Sequence, residues 1–171
     1  LQADVFNIAI QILLFAVLVA AATTDVLYRK IFNWITYPGI AFGLTLGYCA
    51  GDLDSHLQGL ALGAGLFGLV ALTGACGPGD WKLMAAIGAI KGYPFVLIGI
   101  CYSSLVGCAI ALVYLAYVGR VGIGLKRSAR AAVGLKNAEL PESDPAKQRL
   151  PYGVAIAFGT IFAWALVEKV I

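Results

Sequence analysis

Charge is what this sequence has least of. Only 12% of its 171 residues are Asp, Glu, Lys or Arg, while 61% are hydrophobic and the mean hydropathy is +0.89. Soluble domains carry about 25% charged residues, so a surface covered wholly by water is excluded and part of the chain is expected to face lipid. Histidine is nearly missing as well. The one present, His56, falls in a short predicted loop, which leaves no basis for a Ser-His-Asp or Cys-His arrangement. The four cysteines, Cys49, Cys76, Cys101 and Cys108, form no CxxC pair. That removes the spacing of a zinc site or a disulfide frame and leaves them as small, polarizable packing residues. No glycine-rich nucleotide fingerprint is present either, so neither a metal nor a cofactor is expected.

What the sequence does have is long uncharged runs. Val5–Thr24, Ile31–Gly51, Ser55–Gly79, Gly92–Gly119 and Leu150–Val167 are each close to or beyond the ~20 residues that carry a helix across a bilayer. Asn33 is placed to cap the second. The first run has Asp4 before it and Arg29 and Lys30 after it, the reverse of a signal peptide's basic front, and reads as a retained helix. Gly59, Gly63, Gly65 and Gly68 lie along the third run, and Gly59-x-x-x-Gly63 is a small-residue pair of the kind that lets helices approach closely in lipid. Between the third and fourth runs, Asp80–Lys91 is too short to span comfortably, reaching ~18 Å as a helix.

Charge placement decides how to treat that short piece. Basic residues collect on the cytoplasmic side of short loops. If Asp80–Lys91 crosses, Arg29, Lys30, Lys82 and the seven basic residues of the 119–151 loop share one side, with only Lys91 and Lys169 on the other. If it does not cross, the last loop lands on the wrong side. The expectation is therefore all-α: one polytopic membrane helical bundle over 1–171, of about six transmembrane helices, in the cytoplasmic (inner) membrane. The basic residues are accounted for by topology, and nucleic-acid binding is not expected. Within the last loop, residues 124–137 read either as an interfacial helix on anionic lipid or as a solvated loop that fixes topology, with a flexible break at Pro141–Pro145. Tyr28, Tyr37, Tyr93, Tyr152, Trp34 and Trp81 lie near predicted span ends, as interfacial anchors do.

Two acids stand out on this plan. Asp25 ends the first span and Asp80 begins the fourth, both on the cytoplasmic side. Carboxylates are expensive at membrane depth, costing ~2.5 kcal/mol or more. Two that meet share a proton, so that one takes a proton from water while the other donates to a scissile carbonyl. Gly77-Pro78-Gly79-Asp80 is a bare turn opening a helix. Its glycines permit unusual backbone conformations and close approach, and free N–H groups at the helix start can orient the acid. The plainer alternatives are an Asp25–Arg29 pair at i,i+4 and a simple helix-starting acid at Asp80.

The run DVLYRKIFN from Asp25 to Asn33 resembles the first active-site segment of type IV prepilin peptidases. GPGDWKLMAAIG from Gly77 to Gly88 is similar to their GxGD segment, and RLPYGVAIAFG from Arg149 to Gly159 to the start of their last span. The resemblance implies an aspartic endopeptidase that removes the basic leader from prepilins or pseudopilins at the cytoplasmic face. Asp25 and Asp80 match the catalytic acids, Gly77 and Gly79 the loop glycines, and Lys82 a supporting lysine. Phe32 replaces the family's usual proline. The short link between the first two spans leaves no room for the zinc-binding methyltransferase insertion of the large members, so the chain resembles the small enzymes of tight-adherence (Flp) pili. Its implied partners are a prepilin with a basic leader and apolar helix, the bilayer, and pilus-assembly proteins. A small ion-coupled transporter or a non-catalytic pilus scaffold are the rival readings. The first wants acids at mid-depth and the second tolerates Asp→Asn changes.

Overall fold

A computed structural model describes residues 2–72, 77–117 and 152–170. Among the described residues the chain is all-helical, with six helices: α1 (Gln2–Tyr28), α2 (Asn33–Ala50), α3 (Leu53–Leu72), α4 (Pro78–Lys91), α5 (Tyr93–Tyr117) and α6 (Tyr152–Val170). Three of them, over Val5–Tyr28, Leu53–Leu72 and Tyr93–Tyr114, are long and apolar enough to cross a membrane. The segment 119–151, with its candidate interfacial helix and its Pro141–Pro145 break, lies outside the described residues, as do Cys76 and Pro151.

Successive helices run in opposite directions. Asp25 of α1 meets Gly153 of α6 while Phe15 meets Trp164, so these two are antiparallel. In α2, Gly39 faces Ala86 and Gly43 faces Ala89 of α4, so those two are parallel. Between α3 and α4 the order reverses, with Gly59 against Gly88 and Gly63 against Met84. The short turns are built accordingly. Gly51 takes a left-handed conformation (φ 80°) and, with Asp52, returns N–H groups to the last carbonyls of α2, a C-terminal cap that glycine adopts at least cost.

The short helix α4 is the axis of the bundle. It packs against all five others, and every residue from Leu83 to Ile90 is buried. At 1.5 Å per residue its 14 residues reach only ~21 Å, less than the hydrocarbon thickness. An apolar helix surrounded on all sides by protein needs no lipid-facing surface. The lipid-facing residues sit on the outer helices instead, as in the exposed series Val5, Ile12, Val19 and Val26 on α1.

The glycines divide by role. A Cβ on Gly59, Gly63 or Gly88 would run into the backbone carbonyls of Gly88, Met84 and Gly59 respectively, whereas one on Gly65 or Gly68 would meet nothing within 4 Å. The Gly59-x-x-x-Gly63 pair thus brings α3 onto α4 as expected, and the other two glycines take no part.

Three expectations need correcting. His56 is not a solvated loop residue. It lies in the first turn of α3, 5% exposed, with its ring against Gly47 and Nδ1 2.8 Å from the Ala89 carbonyl oxygen. It ties the far end of α4 to the α2–α3 hairpin, which satisfies a polar ring in a buried place. Asn33 does not cap α2. Phe32 occupies the cap position, and Asn33 is the first helical residue, its side chain engaged elsewhere. Cys49, Cys101 and Cys108 are free, but they sit on the exposed exterior rather than in the core.

Candidate functional site

The end of the bundle that gathers the C-terminus of α1 and the N-termini of α2, α4 and α6 also holds both acids. Asp25 lies in the last turn of α1 and is 5% exposed; Asp80 lies in the first turn of α4 and is 7% exposed. Arg29, Lys30 and Lys82 belong to the same end. Asp52, Asp54 and Lys91 belong to the other.

Each carboxylate is held by backbone N–H groups at the start of a helix. Oδ2 of Asp25 accepts the Gly153 N–H at 2.7 Å, and the next amide of α6, at Val154, also faces it. Oδ2 of Asp80 accepts the Gly77 N–H at 2.6 Å, and the Asp80 N–H returns to the Gly77 carbonyl at 3.1 Å. The first amides of a helix have no partner within it and carry partial positive charge, so both acids occupy positions that favour a carboxylate and fix its orientation. Asp25 turns inward to α6. Arg29 is exposed, and only its backbone N–H returns to Asp25, bonding the carbonyl oxygen at 2.8 Å. The alternative of an i,i+4 surface pair therefore does not describe Asp25.

The two glycines of the turn before α4 serve by being small. Gly77 has an ordinary extended conformation (φ −82°, ψ 165°) that any residue can adopt. A Cβ there would stand 3.3 Å from Oδ2 of Asp80. A Cβ on Gly79 would stand 2.9 Å from Cβ of Ile31, in the linker between α1 and α2. Close approach, not backbone freedom, is what these positions require.

Lys82 lies one turn along α4 from the acid's end. Its Nζ donates to Oδ1 of Asn33 at 3.0 Å and sits over the rings of Tyr37 and Trp81, 5.5 and 5.9 Å from their centroids. These contacts pin the start of α4 to the start of α2. The Lys82→Ala variant is expected to lose about 1 kcal/mol of stability, the usual size of one such hydrogen bond, with cleavage slowed less than tenfold. Denaturant titration beside an activity assay measures both.

The aromatic residues at this end separate into two sets. Trp34 and Tyr37 are largely exposed, as interfacial anchors are. Tyr152 turns inward, its ring against Gly107 of α5 and 6.2 Å from the Phe67 ring of α3, and Trp81 packs on the core.

Sequence reading missed the backbone partner of Asp25. Gly153 is the residue whose N–H the acid accepts, and a Cβ there would lie 2.8 Å from Oδ2 of Asp25 and 3.0 Å from Cδ1 of Ile31. The signal available was its place as the glycine of Pro151-Tyr152-Gly153, at the start of a span. Gly153→Ala is expected to push the Asp25 carboxylate off this bond and to reduce kcat by roughly 10²-fold, the scale of an ångström-sized misplacement. Comparison of kcat at saturating substrate for the two purified proteins checks it.

The fold and this end of it define a helical membrane protein with two buried acids anchored at helix N-termini. The chain belongs to the type IV leader peptidase family, whose family model matches residues 12–112. The match runs from within α1 to within α5 and includes Asp25, Gly77, Gly79, Asp80 and Lys82, while Gly153 and α6 lie beyond it. Membership makes the protein a peptidase of the leader-removing kind, with a prepilin-type substrate. Comparisons with curated proteins and with solved structures give no match.

Proposed function

We propose that the protein is an aspartic endopeptidase of the GxGD type in which Asp25 and Asp80 are the catalytic pair. It removes the basic leader of Flp-type prepilins at the cytoplasmic face of the inner membrane, which it crosses several times. One carboxylate takes a proton from a water molecule, whose oxygen attacks the scissile carbonyl. The other carboxyl donates its proton to the carbonyl oxygen. Collapse of the tetrahedral intermediate then breaks the C–N bond as a proton passes to the departing amine. Gly77 and Gly79 keep the turn beside Asp80 bare enough for an extended peptide to approach, and Lys82 supports the site by tying α4 to Asn33 of α2.

The observation that supports this reading is the placement of the two acids. They are far apart in sequence, both buried, at the same end of the bundle, and each is oriented by backbone N–H groups at a helix start. The side of the membrane is supported by Arg29, Lys30 and Lys82 at that same end, through the tendency of basic residues to remain cytoplasmic. Between this end and the other the core is built of Leu14, Leu18, Leu83, Ile87 and Ile90. Among the described residues this interior is mainly apolar, with buried hydroxyls at Thr36, Ser103 and Thr160 but no buried charge along it, which does not favour the transporter.

The test is cleavage of a purified Flp-type precursor by the purified protein in lipid, with the product's N-terminus read by mass spectrometry. Cleavage after the leader by the wild-type protein, and its loss in both the Asp25→Asn and Asp80→Asn proteins, is the expected result. Unimpaired cleavage by either variant overturns the dyad, and no cleavage by the wild-type protein points to the scaffold.

A further inference from the structure

We propose that Ile31 is a positioning residue whose side chain, seated between Gly79 of α4 and Gly153 of α6, sets the spacing of Asp25 and Asp80. The proposal rests on the dyad reading above and adds to it the element that joins the two halves of the site.

Ile31 lies in the short linker between α1 and α2 and is 5% exposed. Its two ends face different helices. Cβ, N and O approach Gly79, whose own Cβ position would be 2.9 Å from Ile31 Cβ, and Gly79 immediately precedes Asp80. Cδ1 approaches Gly153, whose Cβ position would be 3.0 Å away, and Gly153 donates its N–H to Asp25. One branched aliphatic side chain therefore separates the helix start that carries one acid from the helix start that orients the other. Both neighbours are glycines, so Ile31 approaches the backbone of each helix start closely.

The linker also has reason to stay in place. Arg29 adopts a left-handed conformation (φ 51°), unusual for a residue with a side chain, and turns the chain sharply after α1. Two residues later Ile31 enters the bundle. A rigid, β-branched side chain in a close-packed slot holds its neighbours at a fixed distance. Ile31 does not touch the reacting atoms on this account, and its effect is on how they are placed.

The experiment measures kcat and KM separately for Ile31→Ala, Ile31→Val and Ile35→Ala in the reconstituted full-length protein, beside thermal unfolding. Ile35 is equally buried, at 6%, one turn further along the chain, and does not lie between the two glycines. It controls for the loss of a buried aliphatic side chain as such.

The expected result is a fall in kcat of roughly 10- to 100-fold for Ile31→Ala, with KM within about threefold. Ile31→Val, which keeps the branch beside Gly79 and drops the methyl beside Gly153, loses only about threefold. Ile35→Ala leaves kcat unchanged even where it unfolds at as low a temperature. Should Ile31→Ala not accumulate as folded protein, Ile31→Val against Ile35→Ala carries the test, with a kcat loss of about threefold or more expected for the first alone. Wild-type kcat in Ile31→Ala, or equal losses in Ile31→Ala and Ile35→Ala, overturns the spacer while leaving the dyad intact, provided Asp25→Asn and Asp80→Asn are inactive. Activity in either Asp variant instead removes the dyad, and the spacer with it.

Discussion

Leader removal is expected to slow by roughly 10²- to 10⁴-fold when either Asp25 or Asp80 is replaced by Asn, the range over which a positioned acid or base contributes. The amide is the same shape as the carboxylate, and its carbonyl oxygen can still accept the N–H of Gly153 or Gly77 that each acid accepts now. The folded bundle should therefore persist, and the loss should be chemical. What Asn lacks is the ability to take up or give a proton at the working pH. On the proposed dyad the two acids act as one unit, so the double variant should be little worse than either single one, as is usual for groups that share a step. Progress curves on a purified precursor, read by mass spectrometry and accompanied by circular dichroism of each variant, settle the matter. Turnover within tenfold of wild type in either single variant counts against the assignment. So does a double variant whose loss is the product of the two single ones, since independent contributions do not describe a shared proton.

Gly88→Leu is expected to prevent the bundle from forming in its native packing. A single Cβ at Gly88 already overlaps the Gly59 carbonyl, and the reciprocal collision occurs from Gly59 onto the Gly88 carbonyl. Neither obstacle is a flexible side-chain end, so relief requires α3 to move off α4. Overpacking a core typically costs about 1–3 kcal/mol, and a branched side chain against two backbones belongs at or above the upper end of that range. Total stability is commonly only 5–15 kcal/mol. Close packing is also the main source of helix association in lipid, so the cost falls on the interaction that holds α3 in place. Gly65→Leu and Gly68→Leu, on α3 but with nothing within 4 Å of their Cβ positions, should be nearly neutral. Unfolding in a detergent titration gives the three values side by side. Wild-type stability in Gly88→Leu, or a comparable loss in Gly68→Leu, would mean that the close approach of α3 and α4 is not what holds them.

Much of this was legible in the sequence because membrane insertion writes itself in long runs. Five of the six helices follow the uncharged stretches, α4 follows the short piece between them, and the placement of Arg29, Lys30 and Lys82 against Asp52 and Asp54 separates the same two ends in sequence and in fold. Asp25 and Asp80 stood out because acids at such depths are costly. What stayed hidden was everything that depends on which side chain turns inward. His56 read as a loop residue because it follows Asp52 and Asp54 in a polar stretch, yet it is drawn inside by the Ala89 carbonyl and the bare surface at Gly47. Asn33 read as a cap from its residue type, while the pairing with Lys82 across to α4 depends on two helices whose adjacency no local pattern encodes. Ile31 lay inside the run from Asp25 to Asn33 that carries the resemblance, but nothing local marked it as a spacer. An isoleucine at the start of an apolar run is unremarkable until Gly79 and Gly153 are seen on either side of it.

The burial of α4 on all sides bears on how the enzyme tolerates different surroundings. A bilayer that thickens or thins acts on what it touches, and outer helices respond by tilting. The helix that bears Asp80 is shielded from those forces by a complete jacket of protein, and its far end is fastened by the imidazole of His56. Thickness changes in the host lipid thus act first on the perimeter, and Asp80 rides on a helix whose stretch from Leu83 to Ile90 is covered by protein.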